Sequence, residues 1–255
     1  CQYLPKALRL PPDFRRASLM ALRFSSGMAG GEASDMYLTA SARAAWHGLG
    51  ARLALYFLWC NRPHSAGELR LVSPDPETPP AADFNLLGDA RDVARLAAGT
   101  RLLMRLIVSP ALNPSPGDLF PAGFSPRIKR LSRVSRWNGW RTETLGRMLD
   151  LSGPLRRMAL GLFMSGGALE GLTDDRALDA FIHQNVFGVW HASGTCRLGD
   201  PADPEAVVDP DGRVIGSDNL WVADASVMPR LPTANTNIPT IMIAEKISDA
   251  MAQAI

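Results

Sequence analysis

Between residues 51 and 59 the chain runs Ala-Arg-Leu-Ala-Leu-Tyr-Phe-Leu-Trp, without a charge after Arg52, and Asn61-Arg62-Pro63-His64-Ser65-Ala66-Gly67 follows as turn chemistry. A run this short, apolar and aromatic reads as a buried strand. Glu68-Leu69-Arg70-Leu71-Val72 then alternates polar and apolar and is expected to be its partner, stopped by Ser73-Pro74-Asp75-Pro76 and Pro79-Pro80. Beyond it Val93, Leu96, Ala97, Leu103, Leu106 and Ile107 recur at helical spacing, predicting a helix over 89–108 with Asp89 as its N-cap. An α+β fold with helices on an antiparallel sheet is expected.

The chain has 255 residues, 46% hydrophobic and 20% charged, which excludes a disordered polymer, a fibrous repeat and a disulfide-stapled miniprotein. A balance of 27 Lys+Arg against 25 Asp+Glu gives no whole-protein reason to expect nucleic acid or a membrane surface. No apolar run reaches about 18 residues. Cys1, Cys60 and Cys196 form an odd set without CxxC spacing, so they read as reduced thiols in a cytoplasmic protein, with no metal site. No signal peptide is visible. The chain opens on Cys1 rather than Met, and a piece of something longer is expected.

A strand is expected around Leu19 to Phe24. Residues 109–170 hold six prolines, at 110, 114, 116, 121, 126 and 154. Between 127 and 147 Arg127, Lys129, Arg130, Arg133, Arg136, Arg141 and Arg147 stand against one acid, Glu143, with Trp137 and Trp140 interleaved; a solvated amphipathic helix or lid is favoured over an anion-binding face. Thr173 is expected to cap a helix over 174–184, and 186–196 to be strand-like. Val207-Val208 and Arg213-Val214-Ile215 flank the turn Asp209-Pro210-Asp211-Gly212 as a hairpin, and Leu220 to Ala223 reads as a short buried strand ending at Asp224. A last helix starts at Pro239 and runs through about Met251; its first two turns are apolar nearly all round, so it is expected to begin inside the protein.

No GxGxxG, P-loop, GxSxG or HExxH motif occurs; Gly48-Leu49-Gly50 lacks its third glycine, with Leu53 in that place. Two segments nevertheless carry the residue types that chemistry needs. In the first, His191 lies beside Trp190 in a glycine-flanked stretch, where an imidazole can stay neutral and take a proton. In the second, Asn235 and Asn237 precede a helix start, whose free N–H groups and dipole favour an anion. Asp224, at a strand end, is followed by small residues that let a backbone approach a ligand. A base, an amide and a positive helix end suit hydride removal from an alcohol. Each also has a structural alternative: a core histidine, a cap, and turn serines at Ser193 and Ser226. A Cys196/His191 hydrolase is a further possibility, requiring Gly194 to break the strand.

The order W-H-x-x-G-T-C-R-L-G from Trp190, L-W-V-A-D-A-S-V-M-P from Leu220 and N-T-N-I-P-T-I-M-I-A-E-K from Asn235 resembles the C-terminal half of glucose–methanol–choline (GMC) flavin oxidoreductases. Arg62 to Leu71, Ser73 to Pro76 and Asp83 to Leu87 are similar to that family's substrate-domain strand pair, and Arg23 to Gly27 through Asp35 to Leu38 also look like family sequence. The resemblance covers roughly 20–110 and 173–255, and is nearest the aryl-alcohol and 5-(hydroxymethyl)furfural oxidase branch.

The resemblance implies a substrate-binding domain over 1–190, with 111–170 a lid or insertion, and over 191–255 the strand and helix that complete an FAD-binding domain. It implies FAD as cofactor and oxidation of a primary alcohol to an aldehyde. His191 accepts the hydroxyl proton, Asn235 binds the alcohol oxygen and Trp190 shapes the substrate pocket. The backbone of Asp224-Ala225 meets the FAD pyrophosphate, and Thr236 and Asn237 present backbone groups to the isoalloxazine edge. The Rossmann half with its glycine fingerprint is absent from this chain and is expected in the same gene product or on a partner chain. A non-catalytic interaction fragment is the alternative.

Overall fold

The computed structural model describes residues 1–11, 18–28, 30–111, 118–121, 126–161 and 172–254. The uncharged stretch forms β4 (Leu53–Cys60) inside an antiparallel sheet ordered β1 (Gln2–Tyr3), β4, β3 (Met36–Ser41), β2 (Ser18–Phe24). Both edges of β4 are taken: Tyr3 faces Leu53, and β3 runs alongside from Met36 opposite Cys60 to Ser41 opposite Leu55. Tyr37 and Trp59, a directly opposed pair, bring their rings to 4.5 Å. With no free edge on β4, the expected pairing with 68–72 does not form. Instead β5 (Glu68–Arg70) pairs with β6 (Ala81–Asp83), and a Cβ at Gly67 would stand 2.0 Å from the Asp83 carbonyl oxygen, so only glycine fits there. Burial is also less complete than expected: Leu53 and Ala54 are buried and the rest of β4 is half-buried.

Helix α1 (Ala90–Val108) begins directly after Asp89 and packs across β4 and β3. Gly99 permits the close approach, since a Cβ there would lie 2.9 Å from a Leu58 methyl. Beneath the helix Arg95, 1% exposed, donates to Asp92 and, at 3.3 Å, to Asp35, both likewise buried. Cys60 lies against Met36, with Sγ–Sδ 3.6 Å, and burial pushes its thiol up to about 12.

Helices α2 (Pro126–Ser132), α3 (Arg136–Leu151) and α4 (Gly153–Gly161) occupy the proline-rich region. Pro114 and Pro116 lie outside the described residues. Leu149, Ala159 and Leu160 close a core with Tyr3, Leu49, Leu53 and Phe120. Trp137 and Trp140 stack at 5.2 Å on the exposed side of α3, opposite buried Thr142, Gly146 and Leu149, as a solvated amphipathic helix requires. At the end of α3 Asp150 accepts from Tyr3 at 2.9 Å, from Arg52 at 2.9 Å and from Arg9. Burial pushes its carboxyl up, but the bonds from Arg9, Arg52 and Tyr3 outweigh that and hold it at about 2.

Because the unfolded carboxylate titrates near 4, the contribution of Asp150 is complete above about pH 4 and is lost as pH falls through about 2. Asp150→Asn is therefore expected to lower the melting temperature at pH 7 and to matter progressively less on acidification. A melting difference that stays constant from pH 7 to pH 2 contradicts this.

Helix α5 (Asp175–Asn185) is capped by Asp174, which accepts from Ala177 N at 2.9 Å, rather than by Thr173; the carboxylate one residue later reaches the open N–H group of the first turn. Cys1–Cys60 with Ala90–Phe187 form one compact unit, and Asn61–Asp89 with Gly188–Ile255 form another. The 186–196 stretch is not a strand: it is irregular backbone with left-handed φ at Trp190 (59°) and Gly194 (86°). The expected hairpin reduces to a bridge between Val208 and Val214 across the Asp209–Gly212 turn, and 220–223 reduces to a bridge between Arg213 and Trp221, with Leu220 half exposed. Helix α6 spans Asn237–Ala254, starting two residues before Pro239. Its apolar start is exposed, with Ile238 at 71% and Ile241 and Met242 also open, contrary to the expectation that it begins inside the protein. Among the described residues no helix is long and apolar enough to cross a membrane.

Candidate active site

The two motif segments meet through backbone lacing rather than a sheet. Gly194 N donates to Ala225 O at 3.3 Å, Cys196 N to Ser226 O at 2.9 Å and Leu198 N to Val227 O at 3.0 Å. Opposite them Asp224 caps a short 3-10 turn over Ala225–Val227; its Oδ1 accepts from Ser226 N at 2.8 Å and from Ser226 Oγ at 2.5 Å. Val227 joins Val208 and Ile247 in a core flanked by Leu198, Val214, Trp221 and Ile243, which seats α6. Gly212 is required there twice over: its φ is +79°, and a Cβ would lie 2.6 Å from Ile247 Cδ1. At the head of α6 the Thr236 carbonyl accepts from both Thr240 N at 2.8 Å and Thr240 Oγ1 at 2.7 Å, fixing the backbone beside Asn235 and Asn237.

This arrangement places His191 between two side chains from a segment more than 40 residues away. Nδ1 lies 3.0 Å from Thr236 Oγ1, and Nε2 lies 2.9 Å from Asn235 Nδ2. The imidazole is half-buried, Thr236 buried and Asn235 exposed, so the Nε2 side of the ring is the one a small molecule can reach. The ring nitrogens of His191 are taken by Asn235 and Thr236 rather than by Cys196. Trp190, next in sequence, is 81% exposed and held at a φ of 59°. Left-handed backbone at a bulky residue is strained and concentrates at functional sites.

The remaining residues expected in the site divide between spent and open groups. The Asp224 carboxylate is taken by the cap, and Ala225 O accepts from Gly194 N and Met228 N. The N–H groups of Ala225, Asn237 and Ile238 find no acceptor among the described residues, and Pro239 has none to offer. Open donors at a turn and a helix start suit phosphate oxygens and the electron-rich edge of a heterocycle, and exposed Ile238 and Trp190 suit its flat face. This donor set fits FAD. Sequence reasoning points to the Thr236 backbone and misses its side chain; the available signal is a β-branched hydroxyl directly after Asn235 at a helix start.

Comparison with known proteins agrees with this fold. A fungal aryl-alcohol oxidase structure superposes with a TM-score of 0.58 at 20% identity, over 87% of this chain and 28% of that one. The 5-(hydroxymethyl)furfural oxidase of Methylovorus sp. (strain MP688) is 38% identical over 91% of this chain and 36% of its own length. The oxygen-dependent choline dehydrogenase of Photobacterium profundum is 29% identical over 75% of this chain and 26% of its own. The chain thus spans about a quarter to a third of the length of these relatives. The GMC oxidoreductase C-terminal family matches residues 63–244. The fold, helices with an antiparallel sheet, is that of this family's C-terminal domain. The chain belongs to the GMC oxidoreductase family, whose cofactor is FAD.

Proposed function

We propose that the chain is the catalytic C-terminal portion of an FAD-dependent enzyme that oxidises a primary alcohol to an aldehyde. The observation that carries this reading is the 2.9 Å approach of His191 Nε2 to Asn235 Nδ2 on the open side of the ring. An alcohol oxygen that displaces this contact gives its proton to Nε2 and accepts a hydrogen bond from Nδ2, so one group removes the proton while the other holds the oxygen. FAD, when bound, supplies N5 as acceptor for the α-hydride, so the alcohol loses two electrons and two hydrogens to become the aldehyde. The Asp224-Ala225 backbone would hold the pyrophosphate, and Thr236 and Asn237 would present backbone groups to the isoalloxazine edge. There the positive end of α6 favours negative charge. Trp190 shapes the pocket. Functionally, residues 1–190 serve as the substrate-binding domain and 191–255 as the end of the FAD-binding domain. The glycine-fingerprint half comes from the same gene product or a partner chain. The relatives that support an alcohol substrate are an oxidase named for 5-(hydroxymethyl)furfural and a choline dehydrogenase.

The test is the visible spectrum of the chain purified alone and of the protein expressed from its complete gene, each mixed anaerobically with an aryl alcohol. Flavin absorbance in the complete protein that bleaches with the alcohol is the expected result. Bound flavin that no alcohol bleaches removes the substrate class, and no flavin in either preparation favours an interaction fragment.

A further inference from the structure

We infer that the Thr236 hydroxyl is a positioning residue that, opposite Asn235, accepts from Nδ1–H and so stabilises the His191 tautomer that leaves Nε2 free to act as base; this rests on the reading of His191 as the proton acceptor. An amide nitrogen only donates, so Asn235 Nδ2 at 2.9 Å requires a lone pair on Nε2. A neutral imidazole carries one N–H, which then sits on Nδ1, and Thr236 Oγ1 stands 3.0 Å away to accept it. The other tautomer sets Nε2–H against the Asn235 N–H groups, two donors facing one another.

Thr236 is built to hold that position. It is 8% exposed, its β-branched side chain has few rotamers, and its carbonyl is tied down by both the amide and the hydroxyl of Thr240. The hydroxyl is therefore in place before substrate arrives, and it keeps its bond when Nε2 takes the alcohol proton, because Nδ1–H persists in the charged ring. Histidines elsewhere owe their working tautomer to an acceptor at the far nitrogen, and losing that partner removes activity without removing the base.

Thr236→Val keeps the shape and deletes the acceptor. In the protein expressed from its complete gene and loaded with FAD, it is expected to lower kcat by roughly 10–10²-fold with KM little changed. Thr236→Ser is expected to restore most of the rate. The second readout is ¹⁵N NMR of histidine-labelled protein, with the His191 signals identified by their loss in His191→Ala. The native ring should show protonated Nδ1 and bare Nε2, and Thr236→Val, which leaves Nδ1–H without its acceptor, should raise the share of the Nε2–H tautomer. Native-like kcat and an unchanged tautomer in Thr236→Val overturn the inference while leaving His191 as base. A His191→Ala variant of normal turnover overturns the underlying reading instead. If Thr236→Val does not fold, Thr236→Ala against Thr236→Ser carries the same comparison, and equal rates in those two overturn the inference.

Discussion

Replacing His191 by alanine is expected to lower turnover of the FAD-loaded protein by roughly 10²–10⁴, about 3–5 kcal/mol of barrier. The size follows from the ring's position. Nε2 is the proton acceptor nearest the Asn235 amide, and Asn235 itself can only donate from the nitrogen it presents there. With the imidazole gone, the hydroxyl proton must leave to water while the hydride departs. The loss is expected in chemistry rather than in folding. His191 is half-buried and makes two side-chain hydrogen bonds, so its removal costs on the order of 1–2 kcal/mol of stability, mostly from the buried Thr236 hydroxyl left without a partner. Stopped-flow anaerobic reduction of the bound flavin, beside a melting curve, separates the two. A variant that keeps its flavin and is reduced at the native rate removes His191 from the mechanism.

Local pattern is legible in the residues alone, whereas the pairing of distant segments on one surface is not. The helix over 89–108 follows from periodicity, which a tertiary fold rarely overrides in a segment of that length, and the strand expected near residue 20 is also present. Sequence misplaces the partner of 51–59 because adjacency favours a hairpin, whereas β1 and β3, brought in from before it, fill both edges. The 186–196 stretch has strand-like composition, but left-handed Trp190 and Gly194 and its lacing to 224–228 make it a loop that aims a side chain. The apolar head of α6 reads as interior because nothing in a sequence distinguishes a face buried by its own chain from one left open for another surface. His191 and Asn235 stand out through motif order. Thr236 does not, since only the fold brings its hydroxyl to the ring.

The largest expected loss of stability lies away from the site, at Arg95. It is an arginine on an otherwise amphipathic helix, and burial alone would expel it; it stays because Asp35 and Asp92 accept its protons. Burial is the strongest influence on Asp35 and pushes its carboxyl up. Hydrogen bonds from the Ser26 hydroxyl at 2.6 Å, the Ser26 N–H at 2.7 Å and Arg95 together outweigh it and hold the group below the usual carboxylate range. Arg95→Met fills similar space but takes their shared cation from two buried carboxylates beneath α1, and is expected to cost about 3–5 kcal/mol, on the order of 10 °C in melting temperature. The pH dependence has a definite sign. In the native protein Asp35 stabilises above the unfolded carboxylate range near pH 4 and loses that contribution in acid. In the variant the offset from Arg95 is gone, burial gains over the Ser26 bonds, and the penalty is greatest where the carboxylates are charged. The gap between native and variant should therefore be widest near pH 7 and should narrow as pH falls towards 4. Neutralising the acids in the variant, with Asp35→Asn and Asp92→Asn, should recover most of the loss at pH 7, because the damage is uncompensated charge rather than a missing guanidinium. Native-like melting of Arg95→Met at pH 7, or a gap that acid does not narrow, would show that the ion cluster is not what holds α1 on the sheet.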